Sequence, residues 1–137
     1  MKMMRTVVLT ISLLAAVVVP AQAQFDAVGS LDFPTSSSGD VEQHFLRGVA
    51  ILHSFGWVQA RDQFQEAQAL DPDFAMAYWG ESLAYNHPLI SQMNPDEPRA
   101  ALQRLAPTKA ERLAKAPTER EKGFLSAVEG LWGEGEH

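Results

Sequence analysis

From Val41 onward the chain carries apolar residues at helical intervals, in runs cut short by Pro, Gly or Asn-Pro pairs. This punctuated 3.6-residue period constrains the fold more than any other feature. No stretch after residue 23 alternates with the two-residue period of a half-buried strand. Val41, Phe45, Val49 and Leu52 share one face of a first predicted helix (41–53), widened by Ala50 and Ile51. Asp40 is its expected N-cap, with Gln43 at the capping-box position. Ser54-Phe55-Gly56 forms a turn. A second helix follows over 57–70, with Trp57, Ala60, Phe64, Ala67 and Leu70 on one face. Asp71-Pro72 stops it, because proline disfavours α geometry in the residue before it. A third helix is expected over 74–86, ended by His87-Pro88. After a Pro-rich loop (88–96), short helices are expected over 97–105 and 109–116, and a last one after Thr118. Thr108 with Glu111, and Thr118 with Glu121, have capping-box spacing. The last helix places Phe124, Leu125, Val128, Leu131 and Trp132 on one face. The expectation is an all-α protein of antiparallel helix pairs.

The N-terminus reads as an address. In residues 1–23, Lys2 and Arg5 precede an apolar stretch from Thr6 to Val19, then Pro20 and Ala21-Gln22-Ala23. These are the parts of a secretory signal peptide, with cleavage expected between Ala23 and Gln24. The apolar run is shorter than the roughly 20 residues a spanning helix needs, so no stable membrane span is expected after cleavage. The protein is therefore expected to be exported, periplasmic or secreted. Residues 24–40 form an irregular leader rich in Gly, Pro and Ser, with Phe25, Leu31 and Phe33 able to pin it to the helical body. The helical domain is expected over 41–137.

Within that domain small, aromatic and proline residues fall at set intervals. Gly48, Ala60 and Ala67 are small, Phe64 is aromatic, and Pro72 follows the Leu70-Asp71 ending. Thirty-four residues on, Ser82 takes the place of Gly48, between Tyr78 and Tyr85. The pattern resembles the tetratricopeptide repeat (TPR) family, with one full unit at 41–74 and a degenerate second unit from 75. His44 and Ile51 stand where that family usually has aromatics, and the resemblance fades after Tyr85. The resemblance implies a fragment of a right-handed α-solenoid, in which the small residues let helices approach closely and the rings fill the space between them.

It also implies where a partner would bind. The concave face of such a solenoid maps here to Glu42, Phe45, Val49, Leu52 and His53, and to Met76, Trp79, Leu83, Asn86 and His87. This groove would be apolar and aromatic, with Phe45, Trp79 and Trp57 as anchors. It lacks the Lys/Asn set that clamps a peptide carboxylate in some TPR proteins, so an apolar or amphipathic partner segment suits it better. The competing expectation is that Phe45, Val49, Leu52 and Leu83 are buried by neighbouring helices or by the leader. The function expected is an interaction scaffold for a peptide or partner protein. The alternatives are a small-ligand or metal-binding module, or the N-terminal part of a larger TPR protein. The apolar last helix, followed at once by Gly133-Glu134-Gly135-Glu136-His137, suggests a further covering element or a homodimer through that end.

Little points to catalysis. There is no Cys, no G-x-S-x-G and no phosphate-binding Gly loop, so the protein is not expected to be an enzyme. His53 and His87 are two potential metal ligands, but without H-x-x-x-H spacing they read as helix C-terminal residues facing the negative end of the dipole. No metal or cofactor is expected. The formal charge of −6 loses the two positive charges of Lys2 and Arg5 on cleavage and becomes −8, which opposes nucleic-acid binding. Glu97, Glu119 and Glu121 read as first-turn dipole partners, and the Lys/Arg residues of 99–122 as solvated helix faces.

Overall fold

The computed structural model describes residues 27–87 and 94–133. Signal cleavage at Ala23/Gln24 and the pinning role of Phe25 lie outside these residues. The described chain is all-helical: α1 (Gly39–His53), α2 (Trp57–Leu70), α3 (Ala75–Leu83), α4 (Asp96–Leu105), α5 (Lys109–Lys115) and α6 (Glu119–Trp132). No helix among the described residues is long and apolar enough to cross a membrane.

The first helix pair is built around one ring. Phe64 of α2 is fully buried, as are Ala60 and Ala67 one turn either side of it. A Cβ on Gly48 of α1 would lie 2.8 Å from that ring, and one on Gly80 of α3 only 2.3 Å from it. The ring thus sits between two helices that approach as closely as glycine permits. On α3 the small residue at this contact is Gly80 rather than Ser82. Ser82 is buried with its hydroxyl donating to the Trp79 carbonyl at 2.8 Å. Tyr78 is buried, and its hydroxyl donates to the carbonyl of Pro72 at 3.0 Å, fixing the turn between α2 and α3. Tyr85 is half-buried, with the Arg61 guanidinium 4.7 Å from its ring centre.

Helix α3 is the hub and packs against α1, α2, α4, α5 and α6. It ends at Leu83, short of Asn86. His87 precedes Pro88, so the backbone must leave α geometry ahead of it. A turn closed by Asn86 N–H to the Leu83 carbonyl makes that exit. The start of α1 also departs from expectation. Ser38 is the N-cap and makes no side-chain cap bond, while Asp40 and Glu42 lie in the first turn, where their charge suits the dipole.

One feature of the C-terminal half is a correction to the sequence reading. Arg112 is no solvated face: it is 3% exposed and makes two bonds to the buried Glu129 carboxylate at 2.5 and 2.9 Å. It also donates to the carbonyls of Ala106 and Pro107, so it ties the α4–α5 turn to α6. The apolar side of α6 is largely covered within the chain, with Phe124 and Leu131 only partly buried. Leu125, Val128 and Trp132 are buried within the chain, and Phe124 packs under the N-terminal segment. Glu81 is a second buried carboxylate, on α3. It accepts from Gln65 and Gln68 of α2 and from Arg104 of α4, and so joins three helices.

Candidate functional site

Residues 27–38 cross the face formed by α1, α3 and α6 as an extended strap. Pro34 favours extended geometry in Phe33 before it. Gly29 (φ 78°) and Gly39 (φ 62°) near its two ends adopt a left-handed conformation open mainly to glycine. Val28, Leu31 and Phe33 pack on the core. The Phe33 ring lies 5.4 Å from Phe45, 5.6 Å from Trp79 and 5.2 Å from Phe124, centre to centre. The Arg120 guanidinium covers its outer side at 4.6 Å and donates to the Pro34 carbonyl.

The polar end of the strap rests on Glu121. Its carboxylate accepts from the Ser36 backbone N–H and hydroxyl, each at 2.8 Å, and from the Thr118 hydroxyl at 2.8 Å. The expected capping box is therefore shared. Thr118 still caps α6 by accepting from Glu121 N–H, but the carboxylate also serves the strap. At Thr108 and Glu111 the complete box forms. Burial pushes the Glu121 carboxyl up, but the bonds from Ser36 and Thr118 outweigh it and hold it below the ordinary 4.5.

A depressed folded-state pKa stabilises above the unfolded value, and the contribution is lost as pH falls through the folded value. The strap is thus expected to stay fixed at neutral pH and to loosen as pH falls below the ordinary carboxyl value of 4.5 and through the lowered folded-state value. The protection factor of the Ser36 amide in hydrogen exchange checks this. It should fall on acidification in the wild type and lose that pH dependence in Glu121→Gln.

The strap decides the fate of the ten expected groove residues. Phe45, Val49 and Met76 are at most 1% exposed and belong to the core; a surface partner does not reach them. Trp79 is 7% exposed, with Phe33 and Phe124 against its ring. Glu42 lies half-buried in the first turn of α1. The open part of the face is its far end, where Leu52, His53, Leu83 and Asn86 converge with Phe33, Phe55, Trp57, Trp79 and Phe124 around a cavity of about 490 Å³.

This cavity is almost wholly apolar, with two polar groups. His53 Nδ1 lies 2.8 Å from the Val49 carbonyl and donates to it. This contact lies within the last turn of α1. The Asn86 Oδ1 atom is buried and has no hydrogen-bond partner among the described residues. His87 does not join the cavity. Its ring lies 4.5 Å from that of Trp57, tilted by 40°, and it borders a separate polar cleft with Arg61, Tyr85, Asn94 and Glu97. Among the described residues no three His, Cys, Asp or Glu are grouped to hold a metal ion.

Phe55 stands at the mouth. Among the described residues it is the only non-glycine with positive φ (62°), and it is 63% exposed. Its ring meets Trp57 edge-on at 5.9 Å. Sequence reasoning passed over Phe55 as part of a turn and read Phe124 as part of an apolar helix face awaiting cover, not as lining a cavity. The signal for Phe55 was an aromatic residue directly after a helix end, where glycine would relieve the backbone. No family model, curated protein or solved structure matches the chain.

Proposed function

We propose that the protein is an exported, TPR-like interaction module that takes an apolar side chain of a partner polypeptide into the cavity between α1, α2 and α3. The activity is binding, not catalysis. Export rests on the signal-peptide pattern of residues 1–23. The repeat reading rests on the Gly48–Phe64–Gly80 contact and on the buried Ala60 and Ala67.

Phe55 is the observation that carries the binding reading. A bulky residue with left-handed backbone costs about 1 kcal/mol relative to glycine. Its ring gains little burial in return, since it lies mostly in solvent. Strain of this kind concentrates at ligand clamps. An aromatic held there, beside Trp57 and over an apolar cavity, is a ready contact for an incoming side chain. Phe55→Gly is accordingly expected to raise stability by about 0.5–1 kcal/mol while weakening binding. Thermal denaturation and a binding titration on the same sample would check both.

A small apolar ligand is the second reading, favoured by a cavity that is already formed and by the buried Asn86 acceptor. Fluorescence of Trp57 and Trp79 separates the two. N-acetyl-phenylalanine amide and a short amphipathic helical peptide bearing Leu and Phe are the probes. Tighter binding of the peptide, lost in Leu83→Glu, supports the partner-polypeptide reading. Equal affinities favour the small ligand. No response to either probe rejects both.

A further inference from the structure

We propose that the strap is a tethered peptide ligand, and that the face beneath it is a receptor for extended segments of the form apolar-x-Phe-Pro-x-Ser supplied by a partner. The inference rests on the binding reading above and names the partner class for the neighbouring part of the same face.

The strap's own contacts define that class. Leu31 and Phe33 are its apolar anchors, and Phe33 fills the space between Phe45, Trp79 and Phe124. Pro34 presents its carbonyl to Arg120, and Ser36 presents an N–H and a hydroxyl to Glu121. These groups lie within six consecutive residues. They are read by side chains of α1, α3 and α6, not by the strap's immediate neighbours in sequence. A separate peptide with the same groups in the same order can therefore make the same contacts. Residues 27–38 contain no helix or strand, and glycines in left-handed geometry lie near their two ends. Lifting the strap then breaks no regular backbone ladder. Proline before the hydroxyl residues keeps such a segment extended and reduces the entropy lost on docking.

A tethered segment competes with any segment offered in trans. If the strap is docked at least about 90% of the time, a competitor's apparent affinity falls about tenfold or more. The test uses the full chain carrying Phe33→Ala, which frees the receptor face, and a fluorescein-labelled peptide of residues 30–38 (SLDFPTSSS). Fluorescence anisotropy should show saturable binding to Phe33→Ala and binding at least about tenfold weaker to the wild type. A peptide with alanine in place of Phe33 should not bind either protein. Where Phe33→Ala loses its helical circular dichroism, Ser36→Ala takes its place. That variant removes the hydroxyl bond to Glu121 but keeps the backbone N–H bond and the aromatic contacts, so it loosens the strap and should bind the peptide more tightly than the wild type, though by less than Phe33→Ala.

Failure of the peptide to bind a folded variant overturns the inference and makes the strap a fixed part of the core. Equal binding of the peptide with alanine in place of Phe33 overturns it as well. The cavity probes of the preceding section report the binding reading separately. Their success alongside failure of SLDFPTSSS would reject only the partner class.

Discussion

Glu129→Ala is expected to lower stability by about 3–5 kcal/mol, because it leaves the Arg112 guanidinium buried without a counter-charge. Both side chains are essentially inaccessible to water, so solvent cannot take the place of the lost carboxylate. The corresponding fall in Tm is about 12 °C or more for a domain of this size. The pair itself is a different matter, since desolvation of two charges offsets most of their attraction. The double variant Arg112→Met/Glu129→Leu is therefore expected to recover at least half of the loss. Full recovery is not expected, because the Ala106 and Pro107 carbonyls lose the donor that Arg112 supplies. Urea denaturation followed by circular dichroism measures all three proteins. A loss below about 1 kcal/mol in Glu129→Ala would mean that water reaches the pair.

Gly80→Ala should show the opposite sign from an ordinary helical glycine. Replacing glycine by alanine in an exposed helix normally gains about 1 kcal/mol. At Gly80 the new methyl would lie 2.3 to 2.7 Å from three atoms of the Phe64 ring. That ring is fully buried and also abuts Gly48, so it cannot retreat. A loss of about 2–3 kcal/mol is expected. Gly123 of α6 is the control: a Cβ there meets nothing within 4 Å, and Gly123→Ala should stabilise. Phe64→Leu in the Gly80→Ala background should restore part of the loss, because the shorter side chain vacates the space the methyl needs. An additive double variant would place the strain elsewhere than in the ring.

The contrast between Gly48 and Gly80 shows how far the sequence could be read. Gly48, Ala60, Phe64 and Ala67 stand at spacings that follow from packing two helices around a ring, and local sequence alone displays them. The second unit was legible only as a set of small and aromatic residues. Which of Gly80 and Ser82 faces Phe64 depends on how α3 turns about its axis, and five neighbouring helices set that rotation.

Charge was the hardest to read. Arg112 and Glu129 are seventeen residues apart and look like ordinary surface charges, since nothing local marks a side chain that will be buried against a distant helix. Glu121 has a local role that its T-x-x-E spacing states and a second role that the spacing conceals. Its bond to Ser36 spans 85 residues. The site was legible in the same uneven way. The residue types of the apolar face were apparent, and so was the possibility that the leader covers it. That Phe33 buries one end and leaves the other open depends on tertiary docking.

The most direct test of the central claim is photo-cross-linking at the mouth of the cavity. Phe55 is replaced by p-benzoylphenylalanine in the full chain, which keeps an aromatic ring at this exposed position. The protein is expressed in the cells that make it, and those cells are irradiated. The account predicts a cross-link to a partner polypeptide in the exported fraction, lost when Leu83→Glu is added. A cross-link that survives Leu83→Glu, or none from a folded and exported protein, would contradict it.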